Sequence, residues 1–202
     1  AVAVGLGAAY AARAGGRIGR GAARVAQGGY AVPGAVAAIG ILALFAGLQQ
    51  LLDAALGGAA PIVAGGGVVA RLFAYQSRFA AAAIGPCESA LERIGPSLDG
   101  AARTLGAGPA RLLARGHIPR ALGGGATAAL LVFVEVMKEL PATMILRPFD
   151  LETLAVTAHH LASDERLAEA SLPSLMLVAI GLPAMAAVSW LVARRADGPA
   201  IR

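Results

Sequence analysis

Four stretches of this chain, Val25 to Leu52, Ala54 to Ala70, Ala121 to Val134 and Ala170 to Ala193, hold no charged side chain, and arginines crowd between them. A helix needs about 20 apolar residues to cross the hydrocarbon core of a bilayer. The second stretch continues as an apolar run past Arg71 towards Arg78, and the third extends to Leu146, so all four reach spanning length. Ala1 to Ala12 adds a partial fifth: it lacks a preceding basic segment and is followed by arginines, which fits a truncated span better than a secretory leader. The chain opens inside that run without an initiator Met and is expected to be a fragment or a processed chain. The implied fold class is all-α, a polytopic membrane helix bundle of about five spans. Composition agrees, since 14% of the residues are charged and 57% hydrophobic, where soluble domains carry about 25% charge.

Five alternating spans place the connections after the first, third and fifth on one side. That side collects Arg13, Arg17, Arg20 and Arg24, then Arg93, Arg103, Arg111, Arg115 and Arg120, then Arg194, Arg195 and Arg202, twelve in all. The other side has Arg147 and Arg166 among Asp53, Asp150, Glu152, Asp164, Glu165 and Glu169. Cytoplasmic connections are enriched in Lys and Arg, so the arginine-rich side and the C-terminus are expected inside and the acidic segment outside. The net charge of +5 is spread over three connections without interleaved aromatics, which argues against nucleic acid as a partner and for the lipid bilayer. Glycines at positions 34, 40 and 123 to 125 are expected to let helix backbones approach closely.

The connection from Gly85 to Arg120 is far longer than two helices need. Within it, Ser97 to Gly106 reads as a short helix capped by Ser97 after Pro96 and closed by Gly106, and a second short helix is expected from Pro109 to about Arg115, ending before Pro119. Two short helices joined by a glycine elbow make a knob that a soluble partner can grip. This loop resembles the signature of ABC-importer permeases, which reads Glu-Ala-Ala, three residues, Gly, nine residues, then Ile-x-Leu-Pro. Ala101, Ala102, Gly106 and Pro119 match it, whereas Gly100 replaces the Glu, Gly116 the Ile and Ile118 the Leu. The resemblance implies a type I importer permease over residues 1–202, either the C-terminal part or one half of a longer permease. It also implies that loop 85–120 seats on a separate ATP-binding cassette subunit, through Asp99, Gly100, Ala101, Ala102, Gly106 and Pro119. Asp99 lies about 100° round the helix from the position of the missing Glu. The chain carries no phosphate-binding loop, because its one lysine, Lys138, lies between Met137 and Glu139.

Late in the fourth span stand Glu135, Lys138 and Glu139, followed by Pro141. Charges within a membrane are costly and must be compensated. Their spacing is expected to put all three on one helix face with the lysine bridging the carboxylates, and Pro141 to interrupt the helix and free carbonyls that need a protein interior or a wet cavity. Broken helices bearing charge are a usual construction for transport pathways, which makes Glu135, Lys138, Glu139 and Pro141 candidates for lining or gating one. The run from Val136 to Thr143, with Ile145 to Phe149, resembles the Met-Lys-Glu-Leu-Pro-Ala-Thr and Leu-Arg-Pro-Phe segments of ferric-iron permeases, and Tyr30 to Gly34 resembles their Tyr-Ala-Leu-Pro-Gly. That resemblance implies an inner-membrane importer of ferric iron, no cofactor, a periplasmic or extracellular substrate-binding protein, and a second permease half.

Segment 147–170 is expected to be external, with Leu151, Leu154, Ala155, Ala158, Leu161 and Ala162 at helical spacing. His159 and His160 diverge by about 100° and do not readily share one ion, although His160 with Asp164 is spaced to do so; a polar docking face is the simpler reading. Cys87 alone excludes an internal disulfide or a cysteine cluster. Three rival readings remain: a permease of the same family for thiamine, a polyamine or an oxyanion; an ion-coupled transporter relaying protons through Glu135, Lys138 and Glu139; and a membrane enzyme, against which stands the lack of a nucleophile, base and orienter set.

Overall fold

The computed structural model describes residues 1–58, 68–148 and 151–196, with side chains to 194. Most of the 54–70 run, Phe149, Asp150, Arg202 and the Arg195 side chain, all named above, lie outside the described residues. The chain divides into two compact units. One comprises Ala1–Gly29, Ala80–Phe133 and Ala184–Arg202, and the other Tyr30–Phe79 and Val134–Pro183.

All the regular structure among the described residues is helical. In the first unit, α1 (Val2–Ala14) and α2 (Gly16–Gly28) form a hairpin broken at Gly15. Arg17, Arg20 and Arg24 therefore stand on a helix rather than in a loop. The core here gathers Ala9, Ala83, Cys87, Leu91, Ile94, Ala121 and Ala128, with Leu6, Tyr10 and Leu98 packed on it. Small residues dominate because helices that associate in lipid rely on close backbone approach. In the second unit, α3 (Gly34–Ala55) and α8 (Pro141–Leu146) pack with the start of α4 (Val68–Glu92) through Ala38 and Ile41, Ala142 and Leu146, and Ala70 and Ala74. Of the glycines expected at helix contacts, Gly34 and Gly124 are at such contacts, while Gly40 faces open space.

Among the described residues three helices are long and apolar enough to cross a membrane: Gly34–Ala55, Pro109–Met137 and Leu167–Arg194. Leu44, Leu51, Leu172, Leu175 and Leu182 are each more than half exposed, a distribution that suits a hydrocarbon solvent and not water. The chain is thus a helical membrane protein. The expected count of five is not reached among the described residues. α1, at 13 residues, is too short, and the 25-residue α4 (Val68–Glu92) carries Arg71, Arg78, Glu88 and Glu92. The span expected from Val25 begins instead at Gly34, after a 3-10 turn (Gly29–Ala31), because Pro33 is extended and forms the N-cap.

The long connection is shorter than its sequence implies. Residues 85–92 complete α4 despite Pro86, since Gly124 brings its helix against the Pro86 carbonyl and Ala90, where packing sustains the helical path. α6 (Pro109–Leu112) does not end before Pro119. It passes through a π turn (Leu113–His117) into α7 (Ile118–Met137). A π turn widens the ladder just where the Pro119 ring, lacking an N–H, would crowd the carbonyl of Arg115. What stands free is α5 (Pro96–Thr104) with its flanking turns.

Two further helices follow among the described residues. α9 (Leu154–Ser163) is capped by the Thr153 side chain, which accepts from the Val156 N–H at 3.4 Å, and α10 (Leu167–Ala196) follows a turn in which Glu165 has φ of 60°.

Candidate functional site

α7 stops at Met137, Lys138 turns, and α8 begins at Pro141. Pro141 occupies the first helical position, where its missing N–H costs nothing. The interruption changes the geometry expected for the three charges, because Glu139 no longer shares a helix face with Glu135. Lys138 Nζ pairs with Glu135 Oε1 at 2.7 Å and does not bridge both carboxylates. The second oxygen of Glu135 accepts from the Tyr30 hydroxyl at 3.2 Å.

Glu139 turns inward and is 8% exposed. Its Oε2 lies 2.5 Å from Arg78 Nη1, an ion pair with α4, and its Oε1 accepts the Ala142 N–H at 3.1 Å. One carboxylate thus neutralises a half-buried guanidinium and satisfies an orphan donor at the start of α8. Thr143, fully buried, donates to the Glu139 carbonyl at 2.8 Å, and its hydroxyl also bonds to Tyr75 on α4. The chain break left by Pro141 is therefore stitched by side chains rather than by a continued helical ladder.

Gly34 closes the cluster. A Cβ at this position would stand 2.7 Å from Glu139 Oε1 and 2.9 Å from Arg78 Nη1, closer than real contacts allow. Glycine as the first residue of α3 leaves the room the pair occupies, and a side chain there would require the ends of Glu139 and Arg78 to shift. Sequence reasoning treated Arg78 only as the edge of an apolar run and did not use Tyr75 at all. The available signal was an arginine within a spanning-length apolar stretch, a residue type expensive enough there to imply a partner. Arg71, two turns before Arg78 on α4, is also buried, and its Nη1 has no partner among the described residues.

The α5 candidates divide between two directions. Gly100, Ala101 and Gly106 are exposed and Ala102 is half-buried. Asp99, grouped with them above as a contact for a partner, points into its own unit, pairing with Arg13 Nη2 at 3.2 Å and His117 Nε2 at 2.8 Å. Burial alone would raise its carboxyl, but the hydrogen bonds from His117 and Arg13 and the Arg13 charge outweigh it and hold Asp99 below the usual aspartate value.

The N-cap of α5 is Gly95 and not Ser97, with Pro96 in the first turn. At the other end the Ala107 N–H bonds the Ala102 carbonyl at 2.9 Å and the Gly106 N–H bonds that of Arg103 at 3.0 Å, with Gly106 at φ of 76°. This is a Schellman closure, whose left-handed position favours glycine. Leu105 beside it is 86% exposed. Pro119 lies on α7 and is exposed.

Near α9, Arg147 pairs with exposed Glu152, which also accepts from Thr157 at 3.3 Å and lies 3.9 Å from His160 Nδ1. The hydrogen bond from Arg147 holds the Glu152 carboxyl below its usual value. His160 thus faces Glu152, while Asp164 reaches it through a backbone bond to its carbonyl. Among the described residues no three His, Cys, Asp or Glu side chains group to hold a metal ion.

No family model and no solved structure matches the chain. Over 96 residues, 47% of this chain, it is 34% identical to a Fe(3+)-transport system permease protein of Haemophilus influenzae. The matched part is 19% of that protein's length, so the likeness is between one stretch of this chain and about a fifth of a longer permease.

Proposed function

We propose that the chain is a transmembrane permease subunit of an ATP-driven importer for ferric iron, embedded in the inner membrane through five spans with its C-terminus cytoplasmic. In this reading it forms one half of a translocation pathway with a second permease half, which is an identical chain or a fused repeat. Cargo arrives from a periplasmic or extracellular binding protein, and α5 docks on a separate ATP-binding cassette subunit. Catalysis of ATP hydrolysis belongs to that subunit.

The observation that carries this reading is the convergence of two distant segments. Tyr30–Gly34 and the run from Val136 to Thr143 are among the stretches that resemble ferric-iron permeases, and they lie side by side: Tyr30 bonds Glu135, the residue before that run, and Gly34 leaves the room in which Glu139 meets Arg78. A broken helix whose charges are compensated within its unit is a usual construction for a transport pathway, which supports a pathway role for this stretch. The partial likeness to an iron permease supports the same cargo.

The test is uptake of radioactive ferric iron into proteoliposomes holding the chain, its ATPase and a candidate binding protein. ATP-dependent uptake that falls at least tenfold in Glu139→Gln is expected. Uptake driven by a proton gradient without ATP would favour the ion-coupled rival, and normal uptake by Glu135→Gln combined with Glu139→Gln would remove the pathway role.

A second reading draws support from Arg71, a buried guanidinium with an unpartnered nitrogen. Such a group attracts an anion, so an oxyanion cargo is the rival it favours. Inhibition of uptake by excess phosphate or sulfate, without chelation of the iron, separates the two.

A further inference from the structure

We propose that Arg13 is the positioning residue that fixes the docking helix α5 against the end of α4, so that its guanidinium stiffens the short Arg93–Gly95 connection through which a displacement of α5 is handed to α4. This rests on the reading that α5 seats on an ATPase.

Arg13 lies in the last turn of α1. Its Nη1 donates to the Leu91 carbonyl at 2.5 Å, and its Nη2 donates to the Ile94 carbonyl at 2.8 Å and to Asp99 Oδ2 at 3.2 Å. The last carbonyls of a helix have no intrahelical partner. The Leu91 carbonyl in the last turn of α4 accepts the Ile94 N–H at 3.1 Å, and Arg13 adds a second, charged donor to it and bonds the Ile94 carbonyl just beyond, while the same planar group grips α5. A guanidinium suits this task because its five donors are fixed in one fork, whereas an ammonium is a point charge.

Asp99 is held from the other side by His117, which is 2% exposed, packs against the Tyr10 ring at 5.6 Å between centroids, and belongs to the π turn leading into α7. Both carboxylate oxygens are therefore engaged by elements other than α5.

α5 has little other attachment. None of its residues is buried, and Leu98 packs on the core as a partly buried side chain. Its own ends are fixed locally, by Pro96 at the start and the Gly106 closure at the finish. Removing Arg13 thus leaves α5 able to form and to present Leu105 and Gly106, joined to the end of α4 by the short Arg93–Gly95 segment and the Leu98 contact but without the polar tie that fixes their relative position. α4 is also the helix on which Arg78 stands.

The experiment measures iron taken up per ATP hydrolysed in the reconstituted complex for wild type, Arg13→Gln, Arg13→Lys, Asp99→Asn and the Arg13→Gln, Asp99→Asn double variant. The ATPase is expected to co-purify with every variant and to hydrolyse ATP. Uptake per ATP falls roughly 5- to 150-fold in Arg13→Gln and Asp99→Asn, the range of a lost coupling between sites. Arg13→Lys recovers part of it, and the double variant is no worse than either single one, as expected of two ends of one link.

An unchanged ratio in both single variants, with ATP-driven uptake by wild type, overturns the Arg13 proposal alone. Wild-type uptake that ignores ATP overturns the importer reading and the proposal together. Should Arg13→Gln fail to fold, spin labels at Thr104→Cys and Glu92→Cys in the Asp99→Asn background decide the matter: a broadened distance distribution supports the link, and an unchanged one overturns it.

Discussion

Glu139 and Asp99 are both carboxylates gripped by an arginine from a distant helix, yet their settings differ. Glu139 is 8% exposed and its arginine 13%; Asp99 is 23% exposed and Arg13 20%. Around Glu139 the neighbours are Gly34, Thr143 and the start of α8, and the pair replaces the backbone bonds that Pro141 removes. Around Asp99 the pair holds a helix that has no buried residue of its own. The same chemistry thus serves as a rigid internal brace in one place and as a tether for a surface element in the other. Burial decides which, since an ion pair in a dry interior is costly to break while one near solvent is readily replaced by water.

The largest effect is expected at the brace. Arg78→Leu leaves Glu139 buried with its charge uncompensated, a loss of about 3–5 kcal/mol, read as thermal unfolding in detergent. Combining Arg78→Met with Glu139→Gln removes both charges and keeps an oxygen to accept from Ala142, and most of the stability returns. If the double variant is as unstable as the single, the pair is not the brace described.

Gly34→Ala comes next. The added methyl meets both partners of the pair at under 3.0 Å, and overpacking of this kind costs about 1–3 kcal/mol. The same substitution at Gly40, which faces open space on the same helix, is expected to be neutral or slightly stabilising. Equal effects at the two positions would break the argument that Gly34 is small because of the site.

Those two glycines also mark what could be read in the sequence and what could not. Uncharged length was enough to place α3 and α10, and the Pro141 interruption was legible because proline acts locally on its own backbone. Gly34 and Gly40 look alike in the chain, and a neighbour 105 residues away, Glu139, distinguishes them. Arg78 was hidden for the same reason: its cost in a membrane is evident from its type, but its partner is chosen by packing. The α4 boundary failed where Gly85 and Pro86 signalled a stop that contact with Gly124 overrides. Asp99 could be placed about 100° round the helix from the missing Glu, but its partners, Arg13 and His117, are chosen by packing and do not show in the spacing.

At the tether, the expected effects are smaller and depend on pH. The Asp99 carboxyl is held below its ordinary value of about 4. Its contribution is present in full above that ordinary value and is lost as pH falls through the lower native one. Stability of wild type is therefore expected to drop more steeply than that of Asp99→Asn as pH is lowered below about 4, in the unfolding midpoint of the purified chain. Parallel pH profiles would mean that Asp99 is not held as described. Gly106→Ala, which puts a side chain into the left-handed closure of α5, costs about 1 kcal/mol and frays that helix without touching Asp99.

The smallest effect is expected at a third pair, Arg147 with Glu152. It joins the same residue types as the brace, and by contact alone it looks at least as strong. But Glu152 is 45% exposed, and its other partners, Thr157 and His160, are near solvent as well. Water stands ready to take the place of either member, so the pair is held by little more than proximity. Glu152→Gln is expected to leave the unfolding midpoint unchanged within error at neutral pH, in contrast to Arg78→Leu. The prediction is sharp because both pairs lie in the same unit and differ chiefly in burial. A loss at Glu152 comparable to that at Arg78 would mean that the α9 segment is covered by something in the assembled protein, and the comparison between brace and tether would then have to be drawn with that cover in place.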